Sequence, residues 1–170
     1  MHKDKRMNTT RIALDGFFAA IAIIFGYVET LLPVFAGIPG IKLGLANLSV
    51  LFILKRYTFF DALVVSMIRI LVISFWFGTG AFSFLYSLAG ASLSLIVMTL
   101  LLRKTRLSLY GVSVAGGISH NIAQLIIASV IVHNSMVMYY TPVLLISGVI
   151  TGLMIGYLTA QVSARVKNYK

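Results

Sequence analysis

The stretch PVFAGIPGIKLGLANLSV, from Pro33 to Val50, separates two strongly apolar segments of the chain. It holds two of the chain's three prolines, three glycines and one lysine. Proline and glycine at this density are typical of a loop. The apolar run that follows, from Leu43 to Leu54, would extend only about 18 Å as a helix. The stretch therefore predicts a loop over residues 33–42 that leads into an unusually short helix.

Composition indicates that the surrounding helices lie in a membrane. Of the 170 residues, 59% are hydrophobic and 11% are charged, whereas soluble domains have about 45–50% and 25%. Crossing a bilayer takes about 20 apolar residues in a helix. No small-residue cleavage site follows the first apolar segment, so we expect it to be a membrane span and not a signal peptide. We predict an all-α integral membrane protein, a single domain over residues 1–170, with spans at about 11–32, 43–54, 58–77, 81–102, 112–132 and 143–164.

The basic residues predict the orientation of these six spans. With a cytoplasmic N-terminus, Lys42 lies outside, Arg69 lies within a span, and the other lysines and arginines lie on the cytoplasmic side, as the positive-inside rule requires. These are Lys3, Lys5, Arg6, Arg11, Lys55, Arg56, Arg103, Lys104, Arg106, Arg165, Lys167 and Lys170. Both termini are therefore predicted to be cytoplasmic. The net charge of +10 reflects this topology and contact with anionic lipid rather than binding to nucleic acid.

Small residues at a spacing of four predict where helices approach one another closely. The sixth span places Gly148, Gly152 and Gly156 on one face, which predicts a packing surface within the chain. The first span offers two such pairs, Gly16 with Ala20 and Ala22 with Gly26. These pairs favour helix contacts inside the chain and contact with a further membrane subunit about equally.

Polar side chains inside the spans are the candidate ligand-binding residues, because ionisable groups at membrane depth are costly and usually functional. Asp15 and Asp61 lie near the cytoplasmic ends, where pairing with Arg11 or Arg56 gives them a structural role. The deeper residues could instead bind one another, Glu29 with Arg69 and Asn47 with His120, since buried charges are usually paired. The candidates are Glu29, Lys42, Asn47, Arg69, His120, Asn121 and Gln124.

Several chemistries lack the residues that they need. A nucleotide-binding P-loop requires G-x-x-x-x-G-K-[ST], whereas here Lys42 precedes Gly44. The chain has no cysteine and four acidic residues, too few for the clustered aspartates that bind magnesium diphosphate. We expect no enzymatic activity, no cofactor and no metal. The loop instead leads into a helix N-terminus that would favour an anionic or carbonyl-bearing ligand.

Three segments carry a resemblance to a known family. GIKLGLAN at 40–47, SHNIAQL at 119–125 and PVLLISGVITGLMIG at 142–156, with the six-span layout, resemble the bacterial Gx transporters, also labelled heptaprenyl diphosphate synthase component I. The resemblance extends from about Arg11 to Ala164. That family is in turn similar to the substrate-binding S components of energy-coupling-factor (ECF) transporters, which are six-helix vitamin-uptake subunits.

The resemblance implies a binding subunit in the bacterial cell membrane. Its ligand would be a vitamin-like or other cofactor-related compound, bound in an external pocket under a lid formed by the loop 33–42 with Gly37, Pro39 and Gly40. Its partner would be a transmembrane coupling subunit with two cytoplasmic ATPases, met by Gly16 and Ala20.

Aromatic side chains would cover the ligand, and two other functions remain open. The candidate cover residues are Phe35, Trp76, Phe77, Tyr139 and Tyr140. One alternative function is a membrane accessory subunit in isoprenoid metabolism. The other is a small ion-coupled carrier that uses Glu29, Arg69 and His120.

Overall fold

The computed structural model describes residues 9–31, 44–77, 80–133 and 135–167, and no strand occurs within these ranges. Each predicted span corresponds to a helix. The loop 33–42, with Phe35, Gly37, Pro39, Gly40 and Lys42, lies outside the described residues. The helices are α1 (Thr9–Leu31), α2 (Leu45–Arg56), α3 (Phe59–Trp76), α4 (Gly80–Lys104), α5 (Leu109–Val132) and α6 (Thr141–Lys167), with a short 3-10 helix (Ser135–Tyr140) ahead of α6.

Five of the described helices, α1, α3, α4, α5 and α6, are long and apolar enough to cross a membrane. The chain is therefore a multi-pass helical membrane protein. The exception is α2, which has 12 residues and is too short to span a bilayer on its own. A membrane crossing by the α2 segment, which would make six spans, and the orientation of the termini stay predictions.

A charged clamp holds α1 against the turn between α2 and α3. The Arg11 Nε donates to Asp61 Oδ1 at 2.8 Å and its Nη2 donates to Oδ2 at 2.7 Å. The same Nη2 donates to Thr58 Oγ1 at 2.6 Å, and Thr58 and Asp61 form a capping box at the start of α3. The predicted pairing of Asp61 with Arg11 is confirmed. We call this end of the bundle, where Arg11, Lys55, Arg56, Arg103 and Lys104 lie, the basic end.

The closest helix contact joins α5 and α6 through glycines. A Cβ at position 152 would lie 2.6 Å from the Val114 Cα, and one at position 156 would lie 2.8 Å from the Tyr110 Cα. At position 117 a Cβ would lie 2.6 Å from the Gly148 carbonyl oxygen. These distances are below any normal contact, so the two backbones can approach this far only because side chains are absent. The predicted packing face of Gly148, Gly152 and Gly156 is confirmed.

The two small-residue pairs of α1 face different surroundings. Ala22 is fully buried, and a Cβ at Gly26 would lie 3.2 Å from the Ile73 Cγ1 of α3. Gly16 and Ala20 are exposed, and a Cβ at Gly16 would meet nothing within 4 Å. Ala22 and Gly26 therefore pack within the chain, while Gly16 and Ala20 lie on a surface of the bundle.

The apolar core occupies the half of the bundle nearer the basic end. It combines the middle of α1 and α2, the start of α3 and α5 and the second half of α4. Its buried members are Ala19, Ala22, Val50, Leu51, Ile53, Ala62, Val65, Leu95, Met98 and Val112. Toward the opposite end, polar side chains replace the apolar ones, and this is where the candidate residues lie.

The glycine contact predicts an asymmetry between two glycine-to-alanine variants. Gly152→Ala should lower the free energy of unfolding by about 1–3 kcal/mol, the usual cost of overpacking a well-packed contact. Gly16→Ala is the control and should leave stability unchanged or raise it slightly, since alanine is the better helix former. Thermal unfolding in detergent measures both. Equal unfolding midpoints for wild type and Gly152→Ala would contradict the close backbone contact.

Candidate functional site

A crevice opens at the end of the bundle opposite the basic end, where α1 ends and α2 begins. It consists of two adjoining cavities of about 520 and 370 Å³, including the space open to the surroundings. Both cavities are lined by Glu29 of α1, Arg69 of α3 and His120 of α5. The larger cavity adds Gly26, Thr30, Ile70, Ile73, Ser74 and Ser87, and the smaller adds Gly44, Asn47, Gly117, Asn121 and Thr151.

A third cavity extends the crevice toward the middle of the bundle. It has a volume of about 270 Å³ and shares Gly44, Asn47, Gly117 and Thr151 with the smaller cavity above it. Its inner wall adds Ser94, Ser113 and Met98. The polar lining therefore continues inward between α2, α4, α5 and α6 until it meets the apolar core.

Glu29 caps the N-terminus of α2. Its Oε1 accepts hydrogen bonds from the backbone N–H of Gly44 and from that of Leu45, the latter at 3.2 Å. Gly44 adopts a left-handed conformation, with φ of 72°, which glycine reaches without strain. A helix that starts inside a bundle of apolar helices needs partners for its first N–H groups. The carboxylate of α1 thus occupies the position at which we expected the anionic group of a ligand.

Arg69 faces Glu29 across the larger cavity. Its side chain passes Gly26, where a Cβ would lie 3.9 Å from the Arg69 Cδ. The opposite charges of Arg69 and Glu29 attract each other, which lowers the cost of placing either in the bundle. The Arg69 Nε is buried and makes no hydrogen bond within the described part of the chain. The guanidinium therefore holds an unsatisfied donor beside the crevice, although this atom is covered in the structure.

The three α5 candidates have different surroundings. His120 lines both cavities of the crevice and packs on Gly90 of α4, where a Cβ would lie 2.9 Å from its Cε1 and Nε2. Asn121 lines the smaller cavity, and its Nδ2 donates to the Leu144 carbonyl of α6 at 2.7 Å. Gln124 is 1% exposed, and its Cγ would lie 2.8 Å from a Cβ at Gly90.

This placement separates the functions of the α5 residues. His120 can contact a ligand directly. Asn121 joins α5 to α6 while it borders the cavity. Gln124 lines none of the three cavities described above, so the geometry favours a packing role for it between α4 and α5.

Other hydroxyl side chains of the crevice were not predicted. Ser74, Ser87 and Thr151 line it, and Thr151 Oγ1 donates to the Ser147 carbonyl at 2.9 Å. The hydroxyl groups of serine and threonine in helices commonly donate a hydrogen bond to a backbone carbonyl of the preceding turn. Their presence in a span is therefore a weak signal of a binding site.

The described aromatic residues that we expected over the ligand, which are Trp76, Phe77, Tyr139 and Tyr140, are not among the residues that line the three cavities. Trp76 and Tyr139 have 83% and 84% of their surface exposed, and Tyr140 and Phe77 are also exposed. Tyr27 and Phe77 stack with ring centroids 4.4 Å apart. Exposed aromatic rings near helix ends are typical of the belts that membrane proteins form at the lipid–water interface.

The family model described as heptaprenyl diphosphate synthase component I matches residues 18–162. The match covers most of the chain, which therefore belongs to this family, and the resemblance found in the sequence is confirmed. It includes Glu29, Arg69 and His120. Comparisons with curated proteins and with solved structures gave no match. In the described ranges, no three histidine, aspartate or glutamate side chains come together as a candidate metal site.

The capping role of Glu29 predicts a stability effect. Glu29→Ala should lower the free energy of unfolding by about 1–3 kcal/mol, the cost of leaving buried donors unmet. The amides of Gly44 and Leu45 should also exchange hydrogen faster. Thr30→Ala is the matched control, because the Thr30 Oγ1 bonds only within its own helix, to the Tyr27 carbonyl at 2.6 Å. Equal stability and exchange in the two variants would show that α2 does not depend on the carboxylate.

Proposed function

We propose that the chain is the substrate-binding subunit of a small-molecule uptake transporter, similar to an ECF S component. The observation that carries this proposal is the crevice, a concave site among membrane helices with Glu29, Arg69 and His120 in its wall. The wall of its larger cavity brings a few charged and hydroxyl groups together with the apolar side chains of Ile70 and Ile73, a combination typical of small-molecule sites. The proposed ligand is a vitamin-like or other cofactor-related compound.

The proposed topology has six spans in the bacterial cell membrane, with both termini cytoplasmic and the crevice facing outward. The distribution of charge supports it. Arg11, Lys55, Arg56, Arg103 and Lys104 lie at the end opposite the crevice, as the positive-inside rule requires of a cytoplasmic face. The short α2 takes part as a helix that starts within the bundle, where Glu29 caps it.

Energy for uptake would come from partner subunits. The sequence has no nucleotide-binding loop, so we propose no enzymatic activity for this chain and assign ATP hydrolysis to two cytoplasmic ATPases that act through a membrane coupling subunit. The exposed surface of α1 around Gly16 and Ala20 supports this assignment, because small residues with open space before them allow a second helix to approach closely.

The family description favours one alternative, an accessory subunit of heptaprenyl diphosphate synthase. In that function the chain would hold an isoprenoid lipid for an enzyme encoded elsewhere. Mass spectrometry of gently extracted protein separates the two functions, since a co-purified isoprenoid diphosphate supports the alternative and a water-soluble ring compound supports uptake.

The uptake function predicts that purified chain in liposomes binds its co-purified compound but does not concentrate it. ATP-driven accumulation should appear only when the coupling subunit and the ATPases are added. Radiolabelled compound inside the vesicles is the measurement. Accumulation against a gradient by the chain alone would contradict the proposal and favour an ion-coupled carrier.

If the exposed surface of α1 binds the coupling subunit, larger side chains on it should weaken assembly with the partner subunits. Gly16→Leu and Ala20→Leu should reduce recovery of the ATPase subunits with affinity-tagged chain, because leucine fills the space that a partner helix needs. Ala81→Leu at the start of α4, also exposed, is the control and should retain them. Binding of the small molecule should be unchanged in all three variants. Undiminished recovery of the ATPases with both α1 variants would place the partner surface elsewhere.

A further inference from the structure

We infer that the compound bound in the crevice carries an anionic oxygen group, a carboxylate or a phosphate, that pairs with Arg69, and that the charge of Glu29 limits its affinity. This inference rests on the proposed binding function and specifies the chemistry of the ligand. It follows from the hydrogen-bonding state of Arg69, the distribution of charge and the position of Glu29.

Arg69 has donor capacity that the described chain does not use. A guanidinium presents five N–H groups in a rigid fork that matches a carboxylate or a phosphate. The Nε of Arg69 is buried without a hydrogen bond, although the side chain lines both cavities of the crevice. A buried donor without an acceptor is costly, and the cost is greater for a charged group. A small rotation of the Arg69 side chain toward the crevice would let an anionic oxygen of the ligand accept from the guanidinium and remove this cost.

The sum of charges around the crevice favours an anion over a cation. Arg69 contributes one positive charge and Glu29 one negative charge, while the N-terminus of α2 adds about half a positive charge. His120 is neutral or positive. Of the other acidic residues in the described ranges, Asp61 pairs with Arg11 at the basic end, and Asp15 lies one turn from Arg11 on α1. Neither aspartate therefore lies where it could balance the charge of a cationic ligand in the crevice.

Glu29 places an internal anion beside the proposed ligand group. Its Oε1 caps Gly44 and Leu45, and its charge attracts Arg69. A ligand anion at Arg69 would therefore share the guanidinium with Glu29. The Glu29 carboxylate would repel this anion more strongly than in water, because the dielectric constant inside a protein is lower. Glutamine at position 29 keeps an oxygen for the backbone donors and removes the repulsion. The two charged residues thus have opposite effects on anion affinity.

Three simple probes test the charge requirement on the purified full chain in detergent. Inorganic phosphate and benzoate are compared with benzamide, the neutral analogue of benzoate, by the shift that each produces in the thermal unfolding midpoint. Benzoate or phosphate should stabilise the protein and benzamide should not. A response to phosphate alone indicates a phosphorylated ligand, and a response to benzoate alone indicates a carboxylate. Equal stabilisation by benzoate and benzamide would overturn the inference.

Variants at the two charged positions make the test sharper. Arg69→Gln should weaken binding of the effective anion by at least about tenfold, as expected for loss of a charge-assisted hydrogen bond, and Glu29→Gln should strengthen it. Arg103→Gln, an exposed arginine at the basic end, is the control for non-specific charge effects and should bind like wild type. If Arg69→Gln does not fold, Glu29→Gln still decides, because unchanged or weaker anion binding there contradicts the inference.

The outcome is separable from that of the proposed function. Anion binding with this pattern but no accumulation in the presence of the coupling subunit and the ATPases would refute transport and leave the ligand chemistry intact. ATP-driven accumulation of a neutral compound, with no response to either anion, would refute the ligand chemistry and leave transport intact.

Discussion

The contact between the Glu29 carboxylate and the first backbone N–H groups of α2 determines the structure of the half of the bundle opposite the basic end. Donors at membrane depth must be satisfied by the protein, since hydrocarbon offers no acceptor. In the proposed topology, a helix of 12 residues does not reach from one membrane surface to the other, so the N–H groups at its start lie within the bundle. Glu29 satisfies two of them, and Arg69 offsets the charge that this requires. The space above the short helix is the crevice.

The rest of the fold brings the other wall of the crevice into place. Glycine contacts let α6 lie directly against α5, which positions Thr151 and Asn121 beside Asn47 of α2. At the basic end, large apolar side chains fill the same interhelical space and close it. One bundle therefore contains a filled half and a half with a crevice, and the difference follows from the short α2 together with the side chains that fill the other half.

The sequence predicts well those features that depend on residues close together in the chain. The helices follow from runs of apolar residues, and the α5–α6 contact follows from glycines at a spacing of four. Spacing does not give the rotation of a helix about its axis, which is why Gly16 with Ala20 and Ala22 with Gly26 were equivalent in the sequence. Gln124 shares a helix face with His120, as a spacing of four predicts, and both pack on Gly90 of α4. Spacing does not show that His120 borders the crevice while Gln124 lies outside it. The capping by Glu29 joins two helices across a loop, and no local rule indicates such a contact.

The two walls of the crevice differ in stiffness. Backbones in direct contact at Gly117, Gly148 and Gly152 leave α5 and α6 little freedom to slide, so they should move as one body. At Gly26 the contact of α1 with α3 is made by the Ile73 and Arg69 side chains, which can repack in small shearing steps. Arg69 belongs to the softer wall and His120 to the stiffer one. A shear of α1 and α3 along α5 would separate these two groups while each helix stays intact, which provides a route for releasing a bound molecule without unfolding any part of the bundle.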